Sequence, residues 1–126
     1  MRSVDTNVLV RLATRDDAKQ VAVAEAFVAR GAWVPHLVLA EATWVLTSVY
    51  DRGPAEIATA VEMLLNHQQL TLQDSEAVAA AVVSYRRRPA LGFSDCLVLE
   101  VARKAGHLPL GTFDRDFSKL AGVERL

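Results

Sequence analysis

Apolar residues recur along this chain at two different spacings, and the alternation between them predicts short strands separated by helices. Short apolar runs bounded by polar residues, glycine or proline are typical of strands in a buried parallel sheet. The predicted strands are residues 2–4, 33–35, 70–72 and 108–112, and the pattern allows a last one at 123–125.

Between these strands, apolar residues recur every three or four positions, as in helices that bury one face. A turn at Thr6-Asn7 leads into the first helix, Thr14 and Asp17 resemble a capping box for the second, and Ser94 is placed to cap the last long one. Residues 86–91 are predicted to form a loop. The predicted helices are residues 8–12, 15–30, 36–51, 54–66, 75–85 and 95–104, with a helical turn at 114–120.

Strands that alternate with helices indicate an α/β fold, because parallel strands must be joined by crossovers. We therefore predict a three-layer sandwich with a short central, mainly parallel sheet flanked by helices. A length of 126 residues suits one domain, residues 1–126, that is large enough to bury a core.

The composition indicates a cytoplasmic protein that associates with partners. Hydrophobic residues make up 52% of the chain, which is rich enough that we expect part of the surface to be covered, as in an oligomer. The only cysteine, Cys96, excludes an intramolecular disulfide and suits a reducing compartment. The early apolar run at residues 8–10 stops at Arg11, and no stretch reaches membrane-spanning length.

The charge balance argues against a protein that coats nucleic acid by general electrostatic attraction. A net charge of −1 gives no electrostatic attraction to a polyanion over the whole surface. One basic cluster, Arg86-Arg87-Arg88, leads towards residue 95, and we predict that it contacts phosphates. A solvated surface loop is the alternative interpretation.

Glu41 is the most informative residue in the apolar pattern. Its helical neighbours Leu37, Val38, Trp44 and Val45 are all apolar, so the side chain is predicted to rise from the stripe that faces the core. An unpaired buried carboxylate is costly, which marks the position as functional. Alternatively, a distant base such as Arg11 pairs with Glu41, or the side chain lies at the edge of the stripe.

Three aspartates lie where a parallel α/β sheet places its ligands. Asp5 follows the first strand and Asp114 follows the fourth, both at carboxyl ends of strands, and Asp95 opens a helix. Each also has a local explanation: Asp5 as a turn former, Asp95 as a first-turn acid and Asp114 as a helix cap.

The four acids together point to a metal site, because no matching set of basic residues accompanies them. Carboxylates brought close together repel, and a divalent cation relieves the repulsion. Ligands that are all oxygen favour Mg²⁺ or Mn²⁺ over Zn²⁺.

The chain resembles the PIN-domain ribonucleases, and most closely the VapC-type toxins of toxin–antitoxin pairs. The resemblance spans essentially the whole chain and is carried by D-T-N after the first strand, L-A-E-A-T-W-V-L, S-D at a helix start and T-F-D-R-D-F. It implies an endoribonuclease that hydrolyses RNA with Mg²⁺ or Mn²⁺, forms a homodimer and binds a VapB-type antitoxin.

The resemblance also implies a role for each acid. Asp5, Glu41, Asp95 and Asp114 would be catalytic, and Asp5, Asp95 and Asp114 would hold the metal. Glu41 and Asp114 would orient or activate water. The supporting residues would be Asn7, Thr112 and Asp116, and Asp116 would either assist Asp114 or take its place.

Two other functions compete with the ribonuclease. A phosphatase of the haloacid dehalogenase type also uses an aspartate after its first strand, but it needs a second acid where Asn7 stands and a downstream lysine that we do not find. A catalytically silent PIN-like binding module would keep the fold and bind a partner without cleaving RNA.

Overall fold

A computed structural model describes all 126 residues of the chain. The chain forms six α-helices, two short 3₁₀ turns and five short strands, all of them paired in parallel, which confirms the predicted α/β class. Its internal contacts divide it into two compact units, Met1–Ser75 and Glu76–Leu126. None of the helices has the length and apolar character needed to cross a membrane.

The first unit contains a three-stranded parallel sheet in the spatial order β1, β2, β3. Ser3 lies beside Trp33, and Trp33 lies beside Thr71. Parallel strands need crossovers, and a pair of helices leads from each strand to the next. The strands are β1 (Arg2–Ser3), β2 (Ala32–Val34) and β3 (Leu70–Leu72). The helices are α1 (Thr6–Thr14), α2 (Ala18–Val28), α3 (His36–Ser48) and α4 (Pro54–Leu65).

The core of this unit draws an apolar residue from nearly every element. Ala32 and Val34 of β2 are buried, while Trp33 between them is partly exposed, as the alternation of side chains along a strand requires. Each fully buried leucine or isoleucine contributes about 1.5–3 kcal/mol of transfer free energy. The largest side chains buried almost completely are Leu9, Val28, Val34, Leu39, Ile57 and Val61.

The second unit combines two helices with a two-stranded parallel ladder, in which Thr112 lies beside Arg125. The rings of Tyr85 and Phe93 pack edge to face with centroids 6.1 Å apart, which fixes the start of the second helix. The helices are α5 (Ser75–Arg87) and α6 (Phe93–Ala105), the strands are β4 (Leu110–Thr112) and β5 (Val123–Arg125), and the 3₁₀ turns are Pro89–Leu91 and Phe117–Lys119.

Two helix starts in the first unit differ from the sequence prediction. The predicted turn at Thr6-Asn7 is wrong, because α1 already begins at Thr6. The predicted capping box is also wrong: Thr14 belongs to α1, and Asp17 alone caps α2 by accepting a hydrogen bond from the Gln20 amide at 3.1 Å. A single aspartate is sufficient as an N-cap.

Two predictions in the second unit are also wrong. The loop predicted for residues 86–91 is instead the last turn of α5, which continues to Arg87, followed by a 3₁₀ turn. Ser94 does not cap α6, because the helix begins at Phe93 and Gly92 occupies the cap position. Gly92 has φ of +81°, a conformation that side chains disfavour.

Candidate active site

Asp5 caps the helix that follows the first strand. Its backbone is extended, and its Oδ1 accepts a hydrogen bond from the Val8 amide at 3.2 Å. The side chain is exposed and forms no ion pair. The capping role therefore occupies one carboxylate oxygen, and the other has no partner within the protein.

Asn7, the predicted supporting residue, lies in the first turn of α1 and lines an open groove of about 430 Å³ between α1 and α2. Two cations, Arg11 and Lys19, line the same groove. The Arg11 guanidinium donates to the Tyr50 hydroxyl at 2.9 Å and lies 3.4 Å from Asp16, so it is held by protein groups. The sequence pattern did not predict this groove.

Glu41 does not rise from the core-facing side of α3. Its side chain is exposed, and so are two of its helical neighbours, Leu37 (72% exposed) and Trp44 (66% exposed). The prediction of a buried carboxylate is therefore wrong. Glu41 forms no ion pair, and Arg11 contacts Asp16 and Tyr50 instead. The alternative in which Arg11 pairs with Glu41 is therefore also wrong.

The error arises because α3 is apolar on nearly every side. The face that is buried consists of residues at positions i, i+3, i+4 and i+7, but the apolar side chains of Leu37 and Trp44, one helical turn on either side of Glu41, point outwards. Sequence periodicity cannot tell two such stripes apart. The buried face is Leu39, Ala42, Thr43 and Leu46.

Asp95 lies in the first turn of α6, where the helix dipole favours a negative charge. The side chain is half-buried and makes no hydrogen bond or ion pair within the protein. Burial raises the pKa of the Asp95 carboxyl, and the negative charge of Asp114 raises it further. The structure thus brings these two predicted site residues into electrostatic contact.

Asp114 is held in place by the backbone that follows it. Its Oδ1 accepts hydrogen bonds from the amides of Asp116 at 2.8 Å and Phe117 at 3.2 Å. The Asp114 amide in turn donates to Oγ1 of Thr112 at 3.0 Å. The two predicted supporting residues, Thr112 and Asp116, therefore contact Asp114, and Asp116 also lies 3.4 Å from the Lys119 amine.

The donor set of Asp95 and Asp114 fits a hard divalent cation. Both ligands are carboxylate oxygens, neither pairs with a lysine or arginine, and Mg²⁺ is commonly held by only one or two carboxylates while it keeps several waters. No group of three or more histidine, cysteine, aspartate or glutamate side chains that could hold a metal ion occurs in either unit. Within the second unit, these two acids would therefore hold the ion as a pair.

The arginine triplet lies in a more regular segment than the sequence predicted. Arg86 and Arg87 belong to the last turn of α5, and Arg88 precedes the 3₁₀ turn that begins at Pro89. All three arginine side chains are exposed.

A comparison with protein-family models matches residues 3–123 to the PIN domain. The chain belongs to the PIN domain family. No curated protein and no solved structure matches this PIN domain. Family membership confirms the PIN-like α/β fold class, and PIN domains are generally metal-dependent nucleases. The fit of Asp95 and Asp114 to a divalent cation agrees with that general activity.

Phe113, an exposed aromatic residue, lies in the same segment as Asp114. The sequence pattern gave it no functional role. It is 81% exposed and is flanked by Thr112 and Asp114. In the sequence it is one letter of T-F-D-R-D-F, and an apolar residue next to a strand gives no sign that it faces solvent.

Proposed function

We propose that this PIN domain is an endoribonuclease dependent on Mg²⁺ or Mn²⁺, and the toxin of a VapBC-type pair. The observation that carries the proposal is the pair formed by Asp95 and Asp114. The charge of Asp114 acts on the carboxyl of Asp95, and no lysine or arginine compensates either side chain. In a family of metal-dependent nucleases, a divalent cation is the natural partner for such a pair.

The metal ligands in this proposal are Asp5, Asp95 and Asp114. A divalent cation bound by them would lower the pKa of a water molecule and offset charge on the phosphodiester. The protein positions its own groups for this task. Two backbone amides donate hydrogen bonds to Oδ1 of Asp114. These bonds hold the carboxylate in one orientation and so fix the direction of Oδ2.

The remaining predicted residues assist those ligands. Glu41 is exposed and unpaired, so it is available to orient a water molecule or to take a proton from it, a role that Asp114 could share. Thr112 and Asp116 support Asp114 through the hydrogen bonds described above. Asn7 lies two positions beyond Asp5 in the first turn of α1 and supports it.

The substrate in this proposal is RNA, and the exposed arginine triplet, Arg86 to Arg88, contacts its phosphates. Single-stranded loops of structured RNA are the natural targets, because their backbone can be splayed into an open site. We propose that residues 1–126 act as one nuclease domain in the cytoplasm, where the buried thiol of Cys96 stays reduced.

The exposed apolar side chains of α3 and of the residue that ends it support a homodimer. Leu37, Trp44 and Val49 are each about two-thirds or more exposed, which is costly for a monomer in water. We propose that a second copy covers part of this surface. The VapB-type antitoxin would cover another apolar part of the toxin.

The activity is tested by incubating purified protein with end-labelled single-stranded RNA in Mg²⁺ or in EDTA. Asp5→Asn and Asp17→Asn form a matched pair, because both aspartates are exposed N-caps and asparagine caps equally well. We expect cleavage that EDTA abolishes, at least 100-fold slower for Asp5→Asn and unchanged for Asp17→Asn. RNA binding without cleavage by the wild-type protein would favour the silent binding module.

A further inference from the structure

Phe113 is the most exposed aromatic side chain of the chain, at 81%. The other three phenylalanines are buried or half-buried. A single exposed aliphatic residue needs no explanation, but a phenyl ring held in water at the edge of a candidate active site offers a flat apolar face to a ligand.

The backbone on both sides of Phe113 is fixed by hydrogen bonds. On one side, the Thr112 carbonyl accepts from the Leu126 amide at 2.8 Å. On the other, the Asp114 carboxylate accepts from the amides of Asp116 and Phe117. Because the segment is already ordered, a ligand that stacks on the ring pays little further conformational entropy.

Two unpaired arginines belong to the segments that flank Phe113. Arg115 is two positions beyond Phe113, and Arg125 lies beside Thr112 in the β4–β5 ladder. Both are exposed, and neither forms an ion pair. Lys119, by contrast, lies 3.4 Å from Asp116. The charges at Arg115 and Arg125 are therefore available to an anionic ligand.

We infer that Phe113, Arg115 and Arg125 form a nucleotide contact that places single-stranded RNA against the pair Asp95 and Asp114. A base stacks on the Phe113 ring, and the arginines contact phosphates on either side of it. An aromatic platform combined with unpaired cations is how proteins bind single-stranded nucleic acid without reading its sequence. This inference rests on the proposed ribonuclease function, for which it names positioning residues.

A protein partner would be a poorer occupant of this contact. An apolar peptide side chain could cover the phenyl ring, but it would leave both arginine charges without a counter-charge. RNA supplies both the stacking face and the negative charges.

The test measures binding in EDTA, so that it does not depend on cleavage. A single-stranded RNA oligonucleotide carrying 2-aminopurine reports affinity by anisotropy and stacking by fluorescence quenching. We expect Phe113→Ala to weaken binding about 5- to 150-fold, the range for one base–aromatic stack, and to lose the quenching. Phe113→Trp should restore both.

The arginines are tested through the salt dependence of the same binding. Each of Arg115→Gln and Arg125→Gln should reduce the slope of log affinity against log salt by about 0.7, as expected for one lost phosphate contact with a single strand. Val98→Ala, which removes another exposed apolar side chain from the same unit, is the control and should bind as the wild type does.

Each outcome separates this inference from the proposed function. If the wild type cleaves RNA in Mg²⁺ while Phe113→Ala binds and cleaves normally, the nucleotide contact is wrong and Phe113 is left as a surface for a protein partner. If binding and quenching depend on Phe113 but no RNA is cleaved, the contact stands and the nuclease proposal fails. In a cleaving protein, Phe113→Ala should raise KM more than it lowers kcat.

Discussion

The negative charge of Asp114 acts on Asp95 in the folded protein. Burial raises the pKa of the Asp95 carboxyl, and Asp114 raises it further. A carboxylate whose ionised form is disfavoured is a cost to a protein without a cation, and functional sites are where such costs are retained. This relationship makes a prediction about stability that does not depend on any substrate.

We expect Asp95→Asn to be more stable than the wild type at pH 7 in EDTA. The pKa of Asp95 is higher in the folded chain than in the unfolded chain, so the folded protein binds more protons and loses stability as the pH rises through that interval. The difference in stability between the variant and the wild type should vanish below pH 3.8, the ordinary pKa of the carboxyl, where Asp95 is protonated in both the folded and the unfolded chain. Urea unfolding at pH 3.5 and pH 7 measures it, and a less stable variant at pH 7 would contradict the proposed origin of the shift.

Replacing Asp5 separates its capping role from its charge. Asp5→Ala removes the hydrogen bond to the Val8 amide and should cost about 0.5–2 kcal/mol of unfolding free energy. Asp5→Asn keeps an equivalent cap and should stay within about 0.5 kcal/mol of the wild type. Thermal unfolding of both variants provides the comparison, and equal losses would show that the carboxylate charge, and not the cap, supports the fold.

Two leucines on α3 form a matched pair for testing which face of the helix is buried. Leu39 is 1% exposed and Leu37 is 72% exposed. Leu39→Ala should cost about 2–5 kcal/mol, as other large-to-small core changes do. Leu37→Ala should change the free energy of unfolding of the monomer by about 0.5 kcal/mol or less.

The same Leu37 variant tests the proposed dimer when it is combined with Trp44→Ser. We expect the double variant to shift the protein from dimer to monomer in sedimentation equilibrium, while its circular dichroism spectrum stays unchanged. A wild-type protein that is monomeric at every concentration would remove the reason for assigning this apolar surface to a second copy.

Tyr50 ties the ends of α1 and α3 to the loop before α2, and this contact should weaken in acid. Its hydroxyl donates to Asp16 at 2.9 Å, and the Thr14 hydroxyl donates to the same carboxylate at 2.8 Å. The hydrogen bond from Thr14 and then that from Tyr50 lower the pKa of Asp16. The resulting stability is fully present above pH 3.8, the pKa of Asp16 in the unfolded chain. It is lost as the pH falls through the lower pKa that Asp16 has in the folded chain.

Tyr50→Phe isolates that contact. It should lower the free energy of unfolding at pH 7, and it should do so less in acid, as Asp16 becomes protonated. Denaturant unfolding at pH 7 and at pH 2 gives the comparison. A loss of the same size at both pH values would assign the effect to packing of the ring and not to the carboxylate.

The strands and the site acids at their ends could be predicted because each depends on a few neighbouring residues. The strand Leu70–Leu72 has the predicted bounds, and Asp5 and Asp114 follow their strands as expected. The end of α5 could also have been predicted from the sequence. Arginine is a good helix former and the residue before a proline disfavours helix, so the helix is expected to continue to Arg87, where it ends.

The placement of Glu41 and Phe113 could not be predicted in the same way. On α3, apolar residues surround Glu41 on both stripes, and only the packing of whole helices decides which stripe is buried. The exposure of Phe113 depends on the hydrogen bonds that fix Thr112 and Asp114, which involve the distant residue Leu126. Both are tertiary properties.

The most direct test of the central claim is Mn²⁺ binding to the purified protein, followed by electron paramagnetic resonance. We predict that the wild type and Asp17→Asn bind one or two ions with the same affinity, and that Asp5→Asn, Asp95→Asn and Asp114→Asn each bind at least about 10-fold more weakly. Equal Mn²⁺ affinity in the wild type and in all three variants would contradict the assignment of these carboxylates to a metal site.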